Sequence, residues 1–306
     1  MIELPAELEG QRELGPDWAT WLDGLPRLFG EIIEGWELAR DGEELWHGFC
    51  SLVAPVRTPE GAPAVLKVTF PGDVESEHEA LALQHWHGDG TVRLLRADPS
   101  HRALLLERLH REDLTTIGDG EACSVVAGLY AKLHRPAPPQ LRTVTAYVAG
   151  WLDDLSTLER DAPIPRRLVE QALSRGHDLV SDPRSVGRLV HGDLHYENVL
   201  AADRAPWLVI DPKPMSGDPH YEPAPMLWNR WAESRANVRD VVRRRFHTLV
   251  DEAGLDEERA RDWVVVRMVI NAHWSIQDAD RARRSLSADD REWITRCIAI
   301  VKAVQD

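Results

Sequence analysis

Cysteine is scarce in this chain, with Cys50, Cys123 and Cys297 the only three among 306 residues. So few, so far apart and odd in number, they support neither a disulfide framework nor a cysteine zinc site. No apolar run approaches the roughly 20 residues that a membrane-spanning helix needs. The N-terminal MIELPAELEG has no basic segment followed by an apolar one, so no signal peptide is visible. These absences lead to the expectation of a soluble protein in a reducing cytoplasm. Positive charge is also short, with 36 Lys and Arg against 51 Asp and Glu and a net charge of −15. That balance argues against nucleic acid or an anionic membrane as the main partner, and it is compatible with a cationic small molecule. Internal repeats, low-complexity tracts and long flexible linkers are missing too. The loop 41–48 lacks the spacing of a phosphate-cradling glycine loop, and a plain β-turn explains its glycines equally well.

What the chain has is length, tryptophan and a change of pattern partway along. Its 306 residues suffice for one large domain or for two lobes, each with a core. Most of the twelve tryptophans belong to packing, with one or two available to line a pocket. Helical spacing over 17–34 is followed by strand patterns at 36–40, 49–57 and 64–70, a helix over 74–86, and strands at 92–97 and 103–107. After Arg108 the pattern turns to amphipathic helices over 121–134, 143–160, 165–180, 238–253, 256–279 and 288–304. The sequence therefore predicts an α+β, bilobal fold. Residues 1–108 read as a lobe with an antiparallel sheet and one inserted helix, and 109–306 as a mostly helical lobe. A site in the crevice is the expectation.

The stretch LVHGDLHYENVLAADRAPWLVIDPKPMSGD, residues 189–218, concentrates the chemistry. Apolar runs at 199–200 and 207–210 flank a turn-like segment and read as a β-hairpin. With the turn centred between Arg204 and Ala205, Asn198 and Asp211 fall opposite each other, their Cβ atoms about 5 Å apart and able to share a cation. Asp193, just before the first strand, is then placed to orient a hydroxyl and take its proton late in transfer to a phosphate. His191, Asp193 and His195 also suggest a zinc hydrolase. No further histidine cluster supports it, and an amide–carboxylate pair favours Mg²⁺, so both histidines are read as scaffold.

Lys67 lies mid-strand in AVLKVTF, where a lysine rarely stays buried without a partner. The following helix offers Glu75, Glu77 and Glu79. Glu79 is the choice, on the reading that Leu81, Leu83 and Trp86 face the sheet. Such a pair positions nucleotide phosphates in phosphotransferases. Past Asp211, the residues Asp218, Glu222 and Trp231 supply carboxylates and a π face for an acceptor with amino or guanidino groups. Asp218 reads more readily as a cap or brace of the catalytic loop.

HGDLHYENVL, the aspartate of VIDPKP and GDPHYEPAPMLWNRW together resemble the aminoglycoside phosphotransferase superfamily, in particular its streptomycin 6-kinase and hydroxyurea-resistance branch. The similarity spans nearly the whole chain. It implies a kinase-like fold with a five-stranded N-lobe sheet, ATP and Mg²⁺ as cofactors, and a small hydroxyl acceptor. By position, it makes Asp193 the catalytic base, Asn198 and Asp211 the magnesium ligands, Lys67 the phosphate lysine and Glu79 its partner. It also makes the connector from Glu107 to Leu109 a backbone contact for adenine, with side chains free to vary. Glu222 followed by Pro223 departs from the branch, which usually has Asp there, and this puts the acceptor in question. The expected activity is transfer of the γ-phosphate to an aminoglycoside hydroxyl, in a monomer or homodimer. The alternatives are an amino-sugar or other small-hydroxyl kinase and a non-catalytic nucleotide-binding regulator.

Overall fold

Every second residue from Leu52 to Val56 and from Ala64 to Val68 is fully buried, and this alternation builds the first core. In the computed structural model, which describes residues 2–234 and 237–305, helix α1 (Ala6–Gly10) precedes α2 (Pro16–Gly35). Six strands follow: β1 (Ala39–Arg40), β2 (Trp46–His47), β3 (Ser51–Arg57), β4 (Pro63–Thr69), β5 (Leu94–Asp98) and β6 (Ala103–Glu107). They make an antiparallel sheet in the order β1-β3-β4-β6-β5, with β2 on β3. The short β2 is the sixth strand, one more than the five expected. Trp21, Leu22, Leu25, Phe29 and Ile32 of α2 join Leu52, Ala54, Val56, Ala64, Leu66 and Val68 in one cluster. Lys67, one residue out of step with that face, is left on the other.

The helix expected over 74–86 begins only at residue 79, as α3 (Glu79–Trp86). Asp73 is the reason. Its carboxylate accepts from Glu75 N at 3.1 Å and from Ser76 Oγ at 2.7 Å, a local turn that competes with helix. The buried stripe of α3 is Glu79, Ala82, Leu83 and Trp86, while Leu81 is only half-buried. Glu79 therefore occupies a sheet-facing position at helical spacing.

The chain divides into two units, residues 1–111 with 201–213, and residues 112–200 with 214–306. The return of 201–213 to the first unit departs from the expectation that everything after 108 belongs to the second. Later strands are β7 (Arg188–Val190), β8 (Val199–Ala201), β9 (Trp207–Val209) and β10 (Met215–Gly217). The tie is through β9: Val92 N donates to Val209 O at 2.8 Å, and Val209 N to Gly90 O at 2.9 Å.

The second unit holds α4 (Asp119–Leu133), α5 (Val144–Ser156), α6 (Arg166–Ser181), α7 (Ala224–Trp228), α8 (Trp231–Ser234), α9 (Val238–Ala253), α10 (Glu257–Arg281) and α11 (Ala288–Gln305). Helix α10 is buried on most of its circumference, and its Trp263, Val266 and Ile270 pack with Val144, Val148, Leu152, Val190 and Met215. Strand β10 pairs antiparallel with β7, Met215 opposite Val190. Gly217 is required there, because a Cβ would stand 2.5 Å from Val144 Cγ2 and 2.9 Å from Val190 Cγ2.

Candidate active site

In the first unit the chemistry gathers around Lys67. Its Nζ lies 2.8 and 2.7 Å from the two carboxylate oxygens of Glu79 and 2.5 Å from Asp211 Oδ1. All three ammonium donors are thereby directed at carboxylates. Burial by itself disfavours the Lys67 cation, but Asp211 and Glu79 outweigh it and hold the group above its ordinary value. Asp211 has a left-handed backbone, φ +53°, uncommon for a residue with a side chain. It precedes Pro212, which has no N–H to continue a strand. Its carboxylate is 34% exposed, the open member of an otherwise buried cluster. A partly open carboxylate fits Mg²⁺, which binds through one or two such groups together with phosphate oxygens.

Sequence reasoning missed two members of this cluster, Lys213 and Asp73. Lys213 Nζ is 3.8 Å from Asp211 Oδ1 and 3.4 Å from Asp73 Oδ2. The available signal was the lysine two residues past the aspartate in DPKP. Asp73 had none, since its partner stands 140 residues away.

The connector lies in the same unit. Glu107 pairs with Ala64, and its N–H donates to Arg93 O at 2.9 Å. Among the described residues, Leu109 makes no backbone hydrogen bond. The connector's side chains, expected to be free to vary, are engaged at two of its positions. The Glu107 carboxylate takes Arg204 Nε at 2.8 and 3.0 Å, and Arg108 Nη2 donates to Val56 O at 2.6 Å.

In the second unit the loop 191–198 is held through its backbone. Gly192, at φ +82°, donates its N–H to Glu222 Oε1 at 3.1 Å, and its carbonyl accepts from Arg267 Nη2. His191 is fully buried, and its Nδ1 accepts from Asp193 N at 3.2 Å. Asn198 Nδ2 donates to Asp193 O at 2.9 Å, which leaves the amide oxygen as the donor for a cation. Tyr196 pins the loop from below, its hydroxyl 2.5 Å from Asp119 Oδ1, where Arg245 Nε also donates at 2.8 Å. Against this fixed frame the Asp193 side chain is 32% exposed, with His195 Nε2 4.0 Å away, beyond hydrogen-bond length.

Two expectations change here, the pairing of Asn198 with Asp211 and the surface role of Glu222, while the bracing role of Asp218 holds. Asn198 closes a 3₁₀ turn, Tyr196–Asn198, and Asp211 lies beyond the end of β9. They are therefore not a ladder pair of the hairpin, because the turn and the left-handed Asp211 end the strands before reaching them. Glu222 is 0% exposed and serves the loop from inside, so it offers an acceptor no surface. Burial raises its carboxyl to about 7, only partly opposed by the Gly192 N–H and by Arg267. Asp218 is likewise buried, with Oδ2 taken by Arg259 Nε at 2.5 Å and Trp263 Nε1 at 2.8 Å, and Oδ1 by His220 N at 3.1 Å. It caps and braces. Trp231 alone of the three acceptor candidates keeps exposed surface, with the Arg296 guanidinium 5.1 Å from its ring centre. No three His, Cys, Asp or Glu side chains among the described residues converge as a metal site, which leaves the zinc hydrolase without a ligand set.

Residues 35–279 match the family described as aminoglycoside/hydroxyurea antibiotic resistance kinase. A streptomycin 6-kinase of Streptomyces glaucescens is 39% identical over 291 residues, covering 92% of this chain and 94% of that protein. A hydroxyurea phosphotransferase of Kitasatospora aureofaciens is also 39% identical, over 92% of this chain and 83% of that one. Among solved structures, the aminoglycoside phosphotransferase APH(4)-Ia, in ternary complex with ADP and hygromycin B, has a TM-score of 0.60 at 20% identity. It covers 90% of this chain and 97% of its own, and it places this fold with the kinase-like phosphotransferases.

Proposed function

This chain belongs to the aminoglycoside/hydroxyurea antibiotic resistance kinase family, and we propose that it transfers the γ-phosphate of ATP to a hydroxyl of streptomycin or a closely related aminoglycoside. The observation that carries this reading is the buried Lys67 ammonium, held by Glu79 and Asp211 in the first unit. A charge so placed is suited to terminal phosphates, which carry the anionic character of a loose transition state. Leu109 supplies backbone groups to adenine. Asp211 and Asn198 are the proposed magnesium ligands, and the bound ion would neutralise charge on the phosphates.

Asp193 is the proposed base. Its backbone is fixed by His191 and Asn198, which supports a carboxylate that orients the acceptor hydroxyl and takes its proton late in transfer. The acidic surface of the chain, net −15, suits a cationic acceptor, and Trp231 offers it an aromatic face. A second reading has one specific support: the hydroxyurea phosphotransferase is as identical to this chain as the streptomycin kinase is, 39% each, though matched over less of its own length. Under it, the acceptor is a smaller hydroxyl compound.

The test is an acceptor panel with Mg–ATP, containing streptomycin, other aminoglycosides, amino sugars and hydroxyurea, read by mass spectrometry for gain of one phosphoryl group. Phosphorylated streptomycin is the expected product. ATP binding without transfer to any acceptor would favour a regulator over a kinase.

A further inference from the structure

Lys213 is held more loosely than its burial calls for. Only 18% of its side chain is exposed, yet its two carboxylate contacts measure 3.4 and 3.8 Å. Charge-assisted N–H···O bonds normally lie near 2.7–2.9 Å. Lys67, its neighbour on Asp211, makes three contacts no longer than 2.8 Å. An ammonium carries three donors, so Lys213 has capacity that the described residues leave unused, and a largely buried cation with distant partners gains from an anion.

The position is also built rather than incidental. Pro212 and Pro214 flank Lys213 and fix φ on both sides, so its backbone cannot swing away. Its private carboxylate, Asp73, is fixed in turn by Ser76 Oγ and Glu75 N, and Arg102 Nη2 holds the Asp73 carbonyl at 2.6 Å. The arrangement repeats that of Lys67, with one carboxylate of its own and a share in Asp211 Oδ1. Lys67 has Glu79, and Lys213 has Asp73.

We propose that Lys213 is a second phosphate ligand, which keeps Asp73 and turns its remaining donors to a non-bridging oxygen of the nucleotide's β- or γ-phosphate. The inference rests on the phosphotransferase reading and deepens it by assigning the phosphate group two lysines in place of one. A purely structural lysine, latching Asp73, is the competing explanation.

Isothermal titration of ATP, ADP and AMP, each with Mg²⁺, separates the two when run on the wild type, Lys213→Met, Lys213→Arg and Lys67→Met with parallel melting curves. Lys213→Met should weaken ATP and ADP by roughly ten- to hundredfold, the usual range for a hydrogen bond to a charged group, and leave AMP unchanged. Lys213→Arg should recover part of that loss. In Lys213→Met/Asp73→Asn, where no carboxylate is left unpaired, the loss should persist. Wild-type ATP affinity in Lys213→Met would overturn the inference, as would equal weakening of ATP and AMP with a lowered Tm. A wild type that binds no ATP would instead overturn the phosphotransferase reading itself.

Discussion

In the first unit each charged member of the cluster faces another charge: Glu79 and Asp211 face Lys67, and Asp73 and Asp211 face Lys213. In the second unit the loop around Asp193 is held by its own backbone groups, each met by a side chain, with Gly192 tied to Glu222 and Arg267, and the Asp193 peptide tied to His191 and Asn198. The contrast follows the chemistry proposed for each. Phosphates bring charge, so the groups proposed to meet them are themselves charges, balanced by other charges. A base brings only one carboxylate to one proton, and what it needs is a fixed position. One unit stores electrostatic complementarity, and the other stores geometry.

The largest way to break this contrast is on the charged side. Lys67→Met leaves Glu79 buried and unpaired, and removing one partner of a buried pair typically costs about 3–5 kcal/mol. A lower Tm and loss of Mg–ATP affinity are expected, with acceptor affinity kept. Lys67→Met/Glu79→Leu should recover the Tm without the ATP affinity, and calorimetry on the pair checks it. Recovery of both would place Lys67 outside phosphate binding.

On the geometric side the expected effect is smaller and depends on pH. Burial raises Glu222 from an ordinary 4.5 to about 7, so the folded state binds that proton more tightly than the unfolded chain does. Its contribution is present in full below about 4.5 and is lost as the pH rises through about 7, over a range worth roughly 3 kcal/mol. Melting temperatures measured from pH 5 to 8 should fall with rising pH in the wild type, and that part of the slope should be missing from Glu222→Gln. An unchanged slope would locate the titration elsewhere.

The smallest effect is steric. Gly217→Ala crowds Val144 and Val190 and should cost roughly 1–3 kcal/mol, as overpacking does. A denaturant melt checks it. A neutral result would mean that β7 and β10 can move apart freely.

Much of this was legible in the sequence, and the reasons differ by residue. Helix α2 and strands β3 and β4 announce themselves because their burial repeats at 3.6 and 2 residues. Lys67 stands out by breaking its strand's apolar run. The late start of α3 escaped the periodicity because Asp73 forms a local turn that apolar spacing does not record. Glu222 and Trp231 read alike as surface groups for an acceptor, and burial separates them. That burial comes from contacts distant in sequence, Gly192 at 30 residues from Glu222 and at 75 from Arg267. Asn198 and Asp211 carry the right donors, but a strand register was the wrong device for relating them. Lys213 escaped because a lysine in a proline-flanked loop usually points to water. The departure at Glu222 also changes its meaning, from a question about the acceptor to a feature of the loop that carries Asp193.

The most direct measurement is single-turnover transfer from saturating Mg–ATP to streptomycin in Asp193→Ala, with the ATP dissociation constant determined on the same preparation. If Asp193 is the base, the transfer rate falls roughly 10²- to 10⁴-fold, the usual worth of a positioned base, with ATP affinity unchanged. Transfer within a few-fold of the wild-type rate would contradict it.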